Sequence, residues 1–233
     1  MIILITLLLL TVPTSLWAEC VEGDCENGQG TYEYFGGMKY VGEFVNGKPE
    51  GQGFKTYQDE TNYTGTFKNG KFEGKGVKKF HDGAIYEGDF KNGRFHGSGT
   101  YTFADGAVYI GDFEYGKFSG KGVYTYTSGA EYSGEFRNDS FNGEGTMKYS
   151  DGSTYTGNWE NNQHNGQGSA TFADGTTYDG NWWNGKFDGR GTLVVSADET
   201  KEGFWKQGKF TKEEKKDTVE KTKTSVGGSA WQY

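Results

Sequence analysis

From Gly99 to Phe113 the chain reads GTYTFADGAVYIGDF, two stretches of alternating polar and apolar residues around Ala104-Asp105-Gly106. Alternation at period two, carried by Thr, Tyr, Val and Phe, predicts two strands, and Asp-Gly between them predicts a hairpin. The turn has two readings. A two-residue Asp105-Gly106 turn sends Phe103 and Tyr109 to opposite faces. A three-residue Ala104-Asp105-Gly106 loop, a type I turn with a left-handed glycine, pairs Phe103 with Ala107 and Tyr101 with Tyr109. The second fits better because the Phe103 position is aromatic in seven copies: Tyr34, Tyr57, Phe80, Phe103, Tyr126, Tyr149 and Phe172. Those rings belong on the face that holds the other aromatic columns.

The columns come from a repeat. Tyrosine recurs every 23 residues at Tyr40, Tyr63, Tyr86, Tyr109, Tyr132, Tyr155 and Tyr178. Two residues after each comes a glycine, including Gly65, Gly88, Gly111, Gly134, Gly157 and Gly180, and two further on an aromatic: Phe44, Phe67, Phe90, Phe113, Phe136, Trp159, Trp182. A Gly-x-Gly pair keeps the same step from Gly28/Gly30 to Gly189/Gly191. An eighth copy degenerates at Lys201, which stands in the tyrosine position, while Gly203, Trp205, Gly208 and Phe210 hold theirs. A fixed period in this range makes the repeat the structural unit. Each unit buries its neighbour, so residues 27–210 form one elongated array. The predicted fold is all-β: a single-layer twisted antiparallel meander of stacked hairpins. About sixteen strands at roughly 4.8 Å each span on the order of 75 Å. Gly111 and its equivalents are structural, leaving bare backbone for a ring to lie on. Glycines in "EYGKFSGKG" permit a tight reversal between hairpins, with Phe118 and its counterparts as plugs.

Composition supports this. Glycine is 40 of 233 residues and aromatics are 17%, while aliphatic residues are scarce beyond the first dozen positions, which excludes one thick aliphatic core. Residues 1–18 stand apart: an apolar run from Ile2 to Val12, then Pro13, Ser15 and Ala18. The run is short for a bilayer span, and the order predicts a secretory signal cleaved after Ala18. The protein is then secreted or periplasmic; an uncleaved membrane anchor is the alternative. Export gives residues 19–26 a Cys20–Cys25 disulfide, stabilising by roughly 2 kcal/mol in the chain-entropy model. Residues 211–233 are charged and aperiodic and read as a disordered tail, with Trp231 and Tyr233 near its end.

Chemistry is sparse. His81 falls in a turn, His96 in a reversal and His164 in the column otherwise held by Phe118 and its kin, so no two share a register. No cysteine or nucleophilic-serine motif accompanies them, no metal or cofactor site is expected, and the Gly-x-Gly pairs precede no helix that could hold a phosphate. The turn aspartates Asp59, Asp82, Asp105, Asp151 and Asp174 read as turn formers. Lys48, Lys71, Arg94, Lys117, Lys186 and Lys209 make a basic row along the opposite edge. With a net charge of −8 the row reads as a solvated edge, and nucleic acid is excluded as a partner.

Tyr-x-Gly-x-Phe/Trp-x-x-Gly-Lys-x-x-Gly-x-Gly, repeated at 23 residues with an Asp-Gly turn, resembles the MORN (membrane occupation and recognition nexus) repeat family over about residues 27–210. The resemblance implies an elongated hairpin stack that serves as a binding or scaffolding module for proteins or phospholipids, without catalysis. The expectation is an exported scaffold whose aromatic-lined face holds a protein partner or a second copy of itself. The candidate residues of that face are Tyr63, Phe67, Tyr86, Phe90, Tyr109, Phe113, Tyr132, Phe136, Tyr155, Trp159, Tyr178 and Trp182. The alternatives are a carbohydrate or cell-wall binder, since rows of Tyr and Trp suit sugar rings, and a membrane-surface module.

Overall fold

The computed structural model describes residues 18–211. Residues 1–17 and 212–233, with the expectations of a cleaved signal and a disordered tail placed on them, lie outside the described residues. The described residues fold into eighteen strands, from β1 (Glu19–Gly23) to β18 (Lys209–Thr211). Each is antiparallel to the next in chain order, in one open sheet. Among the described residues there is no second layer, so the sheet builds its core from its own face.

Two turn chemistries alternate along the meander. Between β8 (Arg94–Thr102) and β9 (Val108–Glu114), the Phe103 amide donates to the Ala107 carbonyl (2.8 Å) and the Gly106 amide to the Phe103 carbonyl (3.0 Å). Tyr101 pairs with Tyr109, and Gly106 sits at φ +91°. The three-residue loop is therefore the one that forms, with Phe103 beside Tyr101 (ring centroids 4.7 Å) on the face of Tyr109. The Asp105 carboxylate accepts the Ala107 amide at 3.0 Å.

At the other edge, between β9 and β10 (Lys117–Thr125), the turn has only two residues. Tyr115 and Gly116 both have positive φ (+53° and +86°), the type I′ geometry whose twist matches the flanking strands. Asn-Gly fills this turn at Asn46-Gly47, Asn69-Gly70, Asn92-Gly93 and Asn184-Gly185. The Gly116 amide reaches back to the Phe95 carbonyl of the preceding repeat (2.9 Å), and its counterparts do the same along the array.

Between these turns each second strand carries a bulge. Gly111 pairs with Gly122 and Asp112 with Ser119, so Gly120 and Lys121 have no counterpart on β9. The same two residues pair normally with β11 (Glu131–Arg137). Gly120, at φ +54°, makes the bulge possible, and the bulge bends the strand. The Tyr109 hydroxyl donates to the Asp112 carbonyl beside it (2.9 Å), and all seven column tyrosines repeat that bond at 2.8–3.0 Å.

The core is the resulting ladder of rings. Tyr109 stacks on Phe118 (3.8 Å, 15°) and meets Phe113 and Phe136 edge-on at 5.1 and 4.9 Å. Its ring lies over the paired glycines. A Cβ on Gly122 would come within 2.6 Å of Tyr109 Cε2, and one on Gly111 within 2.5 Å of the hydroxyl. The three indoles of the ladder are also satisfied, Nε1 of Trp159, Trp182 and Trp205 donating to the Gly145, Gly168 and Gly191 carbonyls.

This overturns one expectation. Tyr63, Phe67, Tyr86, Phe90, Tyr109, Phe113, Tyr132, Phe136, Tyr155, Trp159, Tyr178 and Trp182 are all buried, none more than 5% exposed. They do not form a binding face. A one-layer sheet has nothing else to bury them against, so the rings pack on one another and on the glycine backbone, each worth about 1.5–3 kcal/mol as a buried apolar side chain. At the N-terminal edge β1 pairs with β2 (Gln29–Glu33), and Cys20 and Cys25 are joined as a disulfide with Cα atoms 5.9 Å apart.

Candidate functional site

With the columns enclosed, three surfaces carry exposed chemistry. The first is the face opposite the rings. One cross-strand row there runs Val41, Phe54, Thr64, Val77, Glu87, Thr100, Ile110 and Val123, each opposite the next. It continues through Ser133, Thr146, Thr156, Ser169, Asp179 and Thr192. The row changes character near its middle, from aliphatic to hydroxylated. Beside it lies a row of mutually satisfied groups: Gln52 with Thr66 (2.8 Å), Lys75 with Asp89 (2.8 Å), Gln167 with Asn181 (2.8 Å). Between the rows, floored by glycine backbone, run two shallow grooves of about 860 Å³ (Gln52 to Asp112) and 830 Å³ (Lys121 to Asp179).

The second is the basic edge. Lys48, Lys71, Arg94, Lys117, Lys186 and Lys209 are exposed beside the two-residue turns, and Lys68 and Lys91 stand directly opposite Lys71 and Arg94. The nearby Glu50 and Glu73 carboxylates are engaged by the turn backbone, accepting the Asn69 and Asn92 amides at 2.8 and 2.9 Å.

The third surface is a ridge along the three-residue turns. Tyr126, Tyr149 and Phe172 are 36–38% exposed, and Tyr34, Tyr57, Phe80 and Phe103 are half-buried in the same column. In its N-terminal part the ridge carries the chain's own cations. Lys55 Nζ lies 5.2 Å from the ring centres of both Tyr34 and Tyr57, and Lys78 Nζ 4.6 Å from that of Phe80. Burial lowers both lysine pKa values, and for Lys78 the Asp59 carboxylate opposes that shift.

The histidines stay apart. The His81 ring is 3.7 Å from the Asp59 carboxylate at an exposed turn. His164 replaces a core phenyl ring, stacked on Tyr155 (3.6 Å, 10°) and hydrogen-bonded to the Tyr149 hydroxyl (3.1 Å). Burial pulls its pKa down to about 4, so the ring is neutral at ordinary pH. Burial likewise holds the column phenols above their usual range, with Tyr178 at about 12. Among the described residues no group of three or more His, Cys, Asp or Glu side chains is placed to hold a metal ion.

The MORN repeat family model matches seven consecutive segments, at residues 40–61, 63–85, 86–108, 109–131, 132–154, 155–177 and 178–194. The chain belongs to the MORN repeat family. All seven matched MORN segments start on a column tyrosine, and each follows directly on the one before, apart from the one-residue gap at Asn62. No curated protein matches the chain. Among solved structures it is similar to the TCP domain of Drosophila melanogaster SAS-4 (dCPAP) in complex with a proline-rich motif of Ana2 (dSTIL), at 11% identity over 67% of this chain and 85% of that one, TM-score 0.41. It is also similar to the G-box domain of the microcephaly protein CPAP, at 15% identity over 81% and 99%, TM-score 0.48. The TCP10 domain of Danio rerio CPAP matches at 13% identity over 66% and 84%, TM-score 0.26. At TM-scores below 0.5 these likenesses carry no inference about this chain.

Proposed function

We propose that this MORN protein is an exported, non-catalytic scaffold that holds a protein partner, or a second copy of itself, on the surfaces outside its ring ladder. One observation carries the reading: the half-exposed ridge that ends in Tyr126, Tyr149 and Phe172 repeats on a rigid frame, spacing aromatic contacts evenly along the array. Aromatic side chains on rigid elements are the usual energetic centres of protein interfaces. The sugar-binding alternative loses its support, because the rows of Tyr and Trp that suggested it are enclosed. Non-catalytic action is supported by the engagement of the tyrosine hydroxyls with backbone carbonyls and by the separation of the three histidines. Export rests on the sequence of residues 1–18.

Cross-linking mass spectrometry on the protein in its native compartment tests the binding reading. Cross-links to one partner, or between copies, should map to the ridge and the glycine grooves. Single-repeat deletions sharpen it. Removing residues 109–131 rejoins equivalent strands, so a shorter folded array should remain, with partner affinity reduced in proportion to the surface lost. A single deletion that abolishes function while the fold persists points instead to a localised active site. N-terminal sequencing that returns Met1 in place of Glu19 removes the processing step.

A further inference from the structure

The ridge has an inner column between successive ridge rings, at Tyr32, Lys55, Lys78, Tyr101, Tyr124, Met147, Ala170 and Leu193. Seven of these side chains are long enough to cover the gap. Ala170 is not. At that point a pocket of about 330 Å³ opens, lined by Tyr149, Phe172, Ala170 and Asp151, with His164 and Trp182 behind.

The molecule already shows what fits there. Four repeats earlier, at the equivalent positions, Lys78 reaches over Phe80 (Nζ to ring centre 4.6 Å) within the field of Asp59, while the Tyr57 ring carries Lys55 Nζ at 5.2 Å. Lys78, Phe80, Tyr57 and Asp59 stand in the same register as Ala170, Phe172, Tyr149 and Asp151. Everything in that arrangement is kept at Ala170 except the cation. An ammonium over aromatic faces is attracted by the ring quadrupoles, and the carboxylate adds charge complementarity.

We propose that the Ala170 pocket receives the ammonium of a lysine side chain from a protein partner, supplying in trans the group that Lys78 supplies in cis. Tyr149 and Phe172 are its walls and Asp151 its counter-ion. The neutral ring of His164 puts no opposing charge in the pocket. The proposal rests on the scaffold reading only for the source of the lysine.

The test uses the mature chain and n-butylammonium chloride, read by NMR at the Trp182 indole N–H, with n-butanol as the uncharged control. Saturable shifts with n-butylammonium, at least threefold stronger than with n-butanol, are expected. Asp151→Asn should weaken that binding about threefold or more, since the amide oxygen keeps the turn acceptor but loses the charge. Ala170→Lys fills the pocket in cis and should abolish the shifts, as should Ala170→Leu, the side chain that Leu193 places in the next copy. An acetyl-Gly-Lys-Gly-amide peptide should compete with n-butylammonium. Equal response to n-butanol, or shifts that persist in Ala170→Lys, overturns the proposal, and the wild-type comparison holds even if a variant fails to fold. Preferential capture of phosphatidylcholine vesicles, lost in Ala170→Lys, overturns the protein source in favour of a lipid headgroup. Partner cross-links that survive Ala170→Lys leave the scaffold standing and confine the failure to this pocket.

Discussion

The two faces of the sheet share one backbone and obey opposite rules. On β9, Tyr109, Gly111 and Phe113 point to the ring ladder, and Ile110, Asp112 and Glu114 point away. Inward, each side chain is fixed on several sides: Tyr109 is stacked, edge-packed and hydrogen-bonded at once. Outward, the position of Ile110 is Val, Thr, Glu, Ile, Ser or Asp in successive repeats without harm to the register. The contrast teaches that a sheet with no second layer can concentrate its stability in one set of columns and leave the other surface free to vary.

The comparison is broken most severely from the inside. Tyr109→Ala should cost about 4 kcal/mol, the range for deleting a buried aromatic side chain, because Phe118 and Phe136 lose the ring between them. Urea unfolding of the chain measures it. Gly122→Val should cost about 3 kcal/mol, at the upper end of overpacking penalties, since its Cβ falls 2.6 Å from Tyr109 Cε2 and 2.7 Å from the Tyr109 hydroxyl. A loss below 1 kcal/mol would show that the ladder relaxes where the packing says that it cannot.

His164 gives a conditional break. Its folded pKa, depressed by burial to about 4 from 6.5, means that the unfolded chain takes up a proton between these values while the native ring does not. Stability from this ring is complete above pH 6.5, falls as pH drops toward 4 and levels below it. Discounted for partial exposure, the loss at pH 4.5 is roughly 2 kcal/mol. His164→Phe, the residue that Phe118 and Phe187 place in that column, should remove this difference between pH 7 and pH 4.5. Identical acid dependence in the two proteins rejects it. The smallest effect belongs to the outer face: Thr100→Ala should shift stability by less than about 0.5 kcal/mol, and a larger loss would mean that the outer row is structural after all.

Much of this was legible in the sequence, and the unreadable part has a physical cause. The Tyr-x-Gly-x-Phe columns and the aromatic position of Phe103 fixed the repeat, the face and the three-residue turn, because period-two alternation reports side-chain parity directly. Parity cannot report whether a face stays open. Enclosure depends on the bulge at Gly120-Lys121, which reads in the sequence only as one more Gly-x-Gly. The column aromatics were therefore expected on a binding surface and lie in the core. The two-residue turns did leave a signal, the Asn-Gly of Asn46-Gly47, Asn69-Gly70 and Asn92-Gly93, which specifies type I′ geometry. The vacancy at Ala170 was hidden for a different reason: a missing side chain is visible only once the rings on either side of it are placed.

The strictly sequential pairing of the eighteen strands has a mechanical consequence. Strand-to-strand hydrogen bonds lie along the direction in which the hairpins are stacked, so tension between residues 19 and 211 loads them in series and peels them in turn. Among the described residues no layer behind the sheet shares the load. Each yielding repeat pays out 23 residues of chain, about 80 Å when extended, in place of the roughly 10 Å it occupied in the sheet. Pulled by its ends, the protein is a chain of near-equal links that lengthens by steps of roughly 70 Å at low force, and single-molecule stretching should count those links one by one.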